Sequence, residues 1–228
     1  MLAFLLIQLM RQAPPFEPWI PASPPPPEQP DVVLFFLDDV GARDVDLLIA
    51  QSRLPEIDAL AGQGTYFENG YAQPMCAPSR HSIMFSEWQG VGGGFGCHPN
   101  TDGTGPGATA DTQDQGHDNL ARAMEGAGYA TAWFGRWGFG TWLGDDGAQE
   151  YAYAPNLHGW GTARAVTPDG LSSCGGTGYE DWLRVDDGEV STSTTYYHTA
   201  VVQEFQTWWG ATPSPRFAFV NLSAHDPF

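Results

Sequence analysis

Val32-Val33-Leu34-Phe35-Phe36-Leu37-Asp38-Asp39 is the stretch that decides the architecture. Six consecutive apolar residues, mostly β-formers and without polar alternation, predict a strand buried on both faces of a parallel sheet. The run ends abruptly in two adjacent carboxylates, then Val40-Gly41. Ligands of open α/β sheets bind beyond the carboxyl ends of central strands, and hard cations such as calcium and magnesium take carboxylate oxygens. Aspartates are also ordinary where a strand gives way to a turn. A pair directly behind six apolar residues favours a metal.

The rest of the chain supplies partners for that strand. Leu54 to Gly64 reads as an amphipathic helix with Ile57, Leu60 and Ala61 on one face. Asp118 to Glu125 fits a short helix stopped by Gly126 and Gly128, followed by a strand over Tyr129 to Phe134. Tyr196 to Trp209 reads as a helix with Val201, Val202, Phe205 and Trp208 as its core stripe, leading into a buried strand over Phe217 to Leu222. Helices alternating with apolar strands predict an α/β fold with a mostly parallel sheet. Tyr151 to Ser173 reads as irregular, and Asp186-Asp187-Gly188-Glu189 as a solvated acidic turn. Gly90 to Gly116 lacks the Gly-Lys-Ser/Thr ending of a phosphate-binding loop and reads as a flexible surface loop.

The chain has 228 residues, a net charge of −18, 28 glycines and 19 prolines, which bound it to one sizeable core, or two small ones, in a loop-rich fold. It contains no lysine, and all nine cations are arginines. Nucleic acid and anionic lipid need basic patches, so neither is expected as a partner. An anionic ligand also meets a repulsive mean field, but exposed charges beyond about 8 Å are screened at physiological salt, whereas an arginine or a bound dication acts at contact. Leu2 to Met10 is an apolar run too short to span a bilayer. Residues 1–12 read as a truncated signal peptide, with a stray apolar arm as the alternative. Residues 13–30 are a proline-rich linker with polyproline II preference, and residues 31–228 form the domain.

Met75-Cys76-Ala77-Pro78-Ser79-Arg80 carries the chemistry. Pro78 fixes its own φ and lacks an N–H, so a helix can begin here but not continue through. Cys76 then lies at a helix amino end, which favours negative charge, and Arg80 about one turn later adds a planar cation suited to an oxyanion. A lone cysteine beside a Pro-Ser turn is otherwise a small buried hydrophobe. The Cys-x-Pro-Ser-Arg string resembles the signature of the type I sulfatases, within the alkaline-phosphatase-like superfamily. Three other segments are similar to that family in the same order. They are Asp38-Asp39, Gly135-Arg136-Trp137-Gly138-Phe139-Gly140 (similar to Gly-Lys-Trp-His-x-Gly), and His225-Asp226-Pro227 closing the last strand. The departures are Phe85-Ser86-Glu87 in place of a Thr-Gly-Arg-like end, Arg136 at the lysine position and Gly138 at the histidine position.

The resemblance implies hydrolysis of a small-molecule or glycan sulfate ester, with Cys76 oxidised to formylglycine by a formylglycine-generating enzyme. It implies a calcium ion on Asp38 and Asp39, stabilisation of the modified side chain by Arg80, and contacts to the sulfuryl oxygens and leaving group from Arg136 and His225. His81 or His158 would stand in for the histidine missing at Gly138. If Cys76 is modified, Cys97 and Cys174 can form a disulfide or remain thiols. A secreted or periplasmic location is implied too. The family's later calcium ligands and lysine have no counterpart before Phe228, so the resemblance covers the amino-terminal portion of a sulfatase. A phosphonate or phosphate ester hydrolase of the same superfamily and a catalytically silent fragment are the alternatives.

Overall fold

The computed structural model describes residues 29–67, 69–73, 76–86, 118–138, 154–167 and 178–223. The signal-peptide segment, the linker up to residue 28, the Gly90 to Gly116 loop, Cys97, Cys174 and His225 lie outside the described residues.

Six strands make one mixed sheet in the spatial order β1 (Val32–Asp38), β6 (Arg216–Ser223), β2 (Ala130–Arg136), β3 (Thr162–Thr167), β4 (Trp182–Asp186) and β5 (Glu189–Ser193). β1, β6, β2 and β3 run parallel, and β4 and β5 add an antiparallel hairpin. Parallel neighbours require long crossovers. Between β1 and β2 the chain passes through α1 (Ala42–Ala50), α2 (Pro55–Gln63), α3 (Cys76–Phe85) and α4 (Leu120–Gly126). A short α5 (Ala154–Leu157) precedes β3, and α6 (Tyr197–Ala211) returns the chain to β6. The starts of β1 and β6 are pinned by Asp31, whose carboxylate accepts from the Arg216 backbone N–H at 3.1 Å, Arg216 Nε at 3.0 Å and the Ser214 hydroxyl at 2.9 Å. The two strands therefore stay in register to their ends, where Asp38 stands opposite Ser223.

Alternation sends successive side chains to opposite faces. Val32, Leu34, Phe36, Trp133, Phe217 and Phe219 meet Met84 of α3 and Ala121 and Met124 of α4. Trp133 stacks on Phe219 with centroids 4.1 Å apart, and Trp137 and Trp160 meet Trp133 edge-on. On the other face Val33, Ala132, Phe134, Ala218, Val220 and Leu222 lie under Tyr197, Val201, Phe205 and Trp208 of α6.

The expectation of two-sided burial for β1 needs correction. Among the described strands β1 is the sheet's edge, and Phe35 and Leu37 remain 53% and 43% exposed. The helix expected over Leu54 to Gly64 forms as α2, but Ile57 and Leu60 stay exposed and neither α1 nor α2 buries a residue. Its apolar stripe has nothing to cover among the described residues.

The acidic turn at Asp186 is also more than solvated. Asp187 Oδ1 accepts from the Ala163 N–H at 2.6 Å and Asp186 Oδ1 from the Ala165 N–H at 2.8 Å. These carboxylates serve backbone donors of β3 where the β3–β4 ladder has a single residue pair, Val166 with Val185. Ala165 sits at φ 49, inside the bulge that lets Phe134 pair with Arg164 but Arg136 with Thr167. No helix among the described residues is long and apolar enough to cross a membrane.

Candidate active site

Asp38, Arg80 and Arg136 come together at the carboxyl ends of β1 and β2, flanking the end of β6. Arg80 Nη2 donates to Asp38 Oδ2, and Arg136 Nη1 donates to the same oxygen at 3.0 Å. Burial is nearly complete: Arg80 is 0% exposed, Asp38 4% and Arg136 8%. Asp38 is thus the shared counter-ion of two buried guanidiniums. Buried cations are tolerated only when paired and hydrogen-bonded. The pocket therefore gathers two buried guanidiniums inside a chain of net charge −18, and these act on an anion at contact.

Each member is placed for a local reason. The helix expected at the Cys-x-Pro-Ser-Arg string opens at Cys76, whose thiol is free and partly buried. Residues four apart share a helix face with Cβ atoms about 5–6 Å apart. Cys76 is thus held on the side of α3 from which Arg80 reaches Asp38. Arg80 crosses to the strand over Phe36, its guanidinium carbon 5.4 Å from the ring centroid. Asp39, the turn residue just past β1, is exposed and takes the left-handed conformation at φ 59, which Asp tolerates better than most residues.

Two glycines shape the pocket. At Gly138, φ is 64, and a Cβ would lie 2.3 Å from Arg80 Nη1 and 2.8 Å from its guanidinium carbon. The Arg80 head therefore fills the space where a side chain at position 138 would begin. At Gly135, φ is 91, and a Cβ would lie 2.0 Å from the Asn221 carbonyl oxygen and 2.9 Å from the Tyr197 hydroxyl. That hydroxyl is fully buried and donates to the Asn221 carbonyl at 3.4 Å. Burial pushes the Tyr197 phenol well above its ordinary value, with the Arg136 N–H and the nearby guanidiniums opposing the shift in part.

Among the described residues, the buried polar atoms here without a hydrogen-bond partner include Arg80 Nε and Nη1, Asn221 Nδ2 and Oδ1, and Ser223 Oγ. Asn221 stands opposite Phe36, over which Arg80 lies, and Ser223 opposite Asp38. Opposed residues of parallel strands share a face at about 4.8 Å spacing. Leaving one such group unpaired costs about 1–3 kcal/mol, so a cluster of them marks where a polar ligand or ordered water belongs. Tyr197, Asn221, Ser223 and Gly135 were not among the residues expected from sequence. Asn221 carried the one available signal, an amide inside an otherwise apolar strand.

The histidines divide differently. The His81 side chain and His225 are outside what is described. His158 is a core residue, edge-on to Trp137 at 5.4 Å and to Phe85 at 6.1 Å. Burial, with the charge of Arg122 adding, lowers its pKa from 6.5 to about 4. The unfolded chain thus binds a proton that the folded one refuses. This contribution to stability is intact above pH 6.5, falls as the pH drops towards 4, and amounts to on the order of 3 kcal/mol. We expect His158→Leu to flatten the acid limb of urea-unfolding stability across that window. An unchanged limb would assign the acid sensitivity to other groups. His198, half-buried and with its pKa lowered by burial, hydrogen-bonds the Ser223 carbonyl and so fixes the end of β6.

For a hard cation the donor chemistry fits. Asp38 and Asp39 are carboxylates at a strand end, and unpartnered oxygens of Ser223 and Asn221 lie on the adjoining strand. Among the described residues no group of three or more His, Cys, Asp or Glu is positioned to hold a metal by itself.

The family model for Sulfatase matches residues 30–227. The arylsulfatase of Klebsiella aerogenes is 30% identical over 209 residues, covering 88% of this chain and 44% of its own length. The steryl-sulfatase of Mus musculus is 29% identical over 166 residues, covering 71% of this chain and 26% of its own. The crystal structure of Ps i-CgsB in complex with k-i-k-neocarrahexaose aligns at TM-score 0.64 and 18% identity, covering 88% of this chain and 46% of that one. This chain therefore spans less than half the length of each of these relatives. A six-stranded mixed sheet flanked by helices, the profile match and the place of the Cys76 helix agree: the chain belongs to the sulfatase family, with an alkaline-phosphatase-like fold.

Proposed function

We propose that this chain carries the nucleophile and the anion pocket of a sulfuric ester hydrolase. The observation that supports it best is the buried Asp38–Arg80–Arg136 group, surrounded by unpartnered polar atoms and one helical turn from a free cysteine. A floor lined by two arginines and rich in donors suits a sulfuryl group whose oxygens gain charge as the ester bond breaks. Arg136 and Arg80 hold those oxygens, and Asp38 keeps both guanidiniums oriented and desolvated without cancelling their charge. Cys76, as formylglycine, is the nucleophile, and His225 takes a place at the leaving group. Asp38 and Asp39 would hold calcium, which when bound supplies further positive charge to the pocket. The names of the relatives, arylsulfatase and steryl-sulfatase, and the neocarrahexaose bound by the structural neighbour share no alcohol. The ester end is therefore what we assign, on a small molecule or a glycan, in a secreted or periplasmic enzyme modified by a formylglycine-generating partner.

The test is co-expression with a formylglycine-generating enzyme, followed by mass spectrometry of the Cys76 peptide and turnover of 4-nitrophenyl sulfate beside 4-nitrophenyl phosphate. We expect the aldehyde in place of the thiol, preference for the sulfate ester, and loss of turnover in Cys76→Ala. Preference for the phosphate ester would move the chain to the phosphate and phosphonate hydrolases. An unmodified thiol would leave a silent member of the family.

A further inference from the structure

Asn221 is out of place in an apolar strand. It lies on β6, paired with Phe36 of β1 on one side and Gly135 of β2 on the other, and is 0% exposed. Alternation puts it on the face of Phe217 and Phe219, which α3 and α4 cover, whereas Ala218, Val220 and Leu222 lie under α6. Its amide has no partner at either end, with Nδ2 and Oδ1 both buried and unpaired. What it faces follows from its flanks. The Arg80 guanidinium lies over Phe36, one strand spacing of about 4.8 Å away, and its Nε and Nη1 are also unpaired. Gly135 sends no side chain into the other flank. Two residues on, Ser223 stands opposite Asp38 with its hydroxyl buried and unpaired. Asn221 and Ser223 thus form a neutral polar track beside the guanidinium that Asp38 anchors. Burying an amide without a partner is destabilising, and a ligand that pairs it accounts for its presence.

We propose that Asn221 contacts the bound anion, and that its neutral amide sets the pocket's preference for an oxyanion that carries no proton. A sulfate ester at neutral pH has acceptor oxygens only, so its pocket needs N–H and O–H donors and no spare carboxylate. Asp38 is not spare, being shared by both arginines. The unpaired Arg80 N–H groups, the Asn221 amide and the Ser223 hydroxyl are such donors, and the amide oxygen can accept from Arg80 while Nδ2 serves the anion. A phosphate ester differs in holding a proton up to a second pKa of about 6, and a carboxylate accepts that proton. Asp has the shape of Asn, so the choice between them at position 221 decides which anion is favoured. The proposal deepens the sulfuric ester hydrolase assignment and rests on it.

The full chain, Asn221→Ala and Asn221→Asp would be titrated by calorimetry with inorganic sulfate and with inorganic phosphate at about pH 6, where phosphate is protonated. Asn221→Ala is expected to weaken sulfate about ten- to a hundred-fold, the loss of a hydrogen bond to a charged ligand. Asn221→Asp should weaken sulfate further and spare phosphate, so that the ratio of the two affinities moves about ten-fold or more towards phosphate. A residue that only holds the strand or a core water would shift the urea midpoint and leave that ratio alone; an unchanged ratio overturns the proposal. One measurement needs no variant. In the isotope-labelled parent the Asn221 side-chain amide signals should shift as sulfate is added, and signals that stay in place overturn the proposal, whether or not the chain binds sulfate elsewhere. A parent that prefers sulfate with a silent amide overturns the role of Asn221 alone. A parent that prefers phosphate overturns that role and the sulfuric ester assignment together.

Discussion

Asp38→Ala is expected to cost about 3–5 kcal/mol of stability, because it strips the counter-charge from two buried guanidiniums at once. Arg80 has no exposure, and its Nη2 donates to Asp38 while Nε and Nη1 are unpartnered. Removing the carboxylate takes from that cation the counter-charge it meets among the described residues. Small domains hold about 5–15 kcal/mol in all, so the variant should sit near the edge of folding. Asp39→Asn makes the contrast. Asp39 is exposed and left-handed at φ 59, a conformation asparagine accepts, so its stability should change by no more than about 0.5 kcal/mol. Both changes should weaken calcium, since both carboxylates are offered to it. Urea midpoints and calcium titration of the two variants separate these roles. If Asp38→Ala unfolded at the parental midpoint, the buried triad would not exist as described.

How much of this was legible in the residues themselves follows from what each signal depends on. The strands over Phe217 to Leu222 and Tyr129 to Phe134 and the helix Tyr196 to Trp209 appear within about two residues of their expected bounds, because apolar runs and periodicity are local. β3 and the β4–β5 hairpin were not foreseen. Thr162–Thr167 is held partly by carboxylates from Asp186 and Asp187, and no local pattern reveals that a turn's acids will serve another strand's N–H groups. The edge position of β1 was equally invisible, since its six apolar residues look the same whether one neighbour or two will pair with them.

The site shows the same division. Asp38, Arg80 and Arg136 were singled out through short motifs, and the structure brings all three within hydrogen-bonding reach. The roles changed in one respect: Asp38, expected as a metal ligand, is already the shared counter-ion of both arginines. Tyr197 could not be found, because its hydroxyl reaches the Asn221 carbonyl only through the packing of a helix on the sheet. His158 was a candidate to stand in for the histidine missing at Gly138. Its packing between Trp137 and Phe85 makes it part of the core instead.

Gly138→His should damage the protein, although the resemblance makes histidine the expected residue there. The obstacle is Arg80. A Cβ at position 138 would lie 2.3 Å from Nη1 and 2.8 Å from the guanidinium carbon, and the backbone is left-handed at φ 64. Left-handed backbone alone costs a side chain about 1–2 kcal/mol. The overlap adds to this, because the guanidinium cannot retreat without leaving Asp38 and burying an unpaired charge. Gly138→Ala should therefore already destabilise by more than the backbone term and reduce sulfate affinity, with Gly138→His worse on both counts. In an Arg80→Met background the overlap disappears, and Gly138→Ala should fall back towards the about 1–2 kcal/mol of backbone strain. Urea unfolding of the four proteins in that cycle measures the coupling directly. A Gly138→His protein as stable as the parent, or one that turns over sulfate esters faster, would mean that Arg80 does not occupy the space beside position 138.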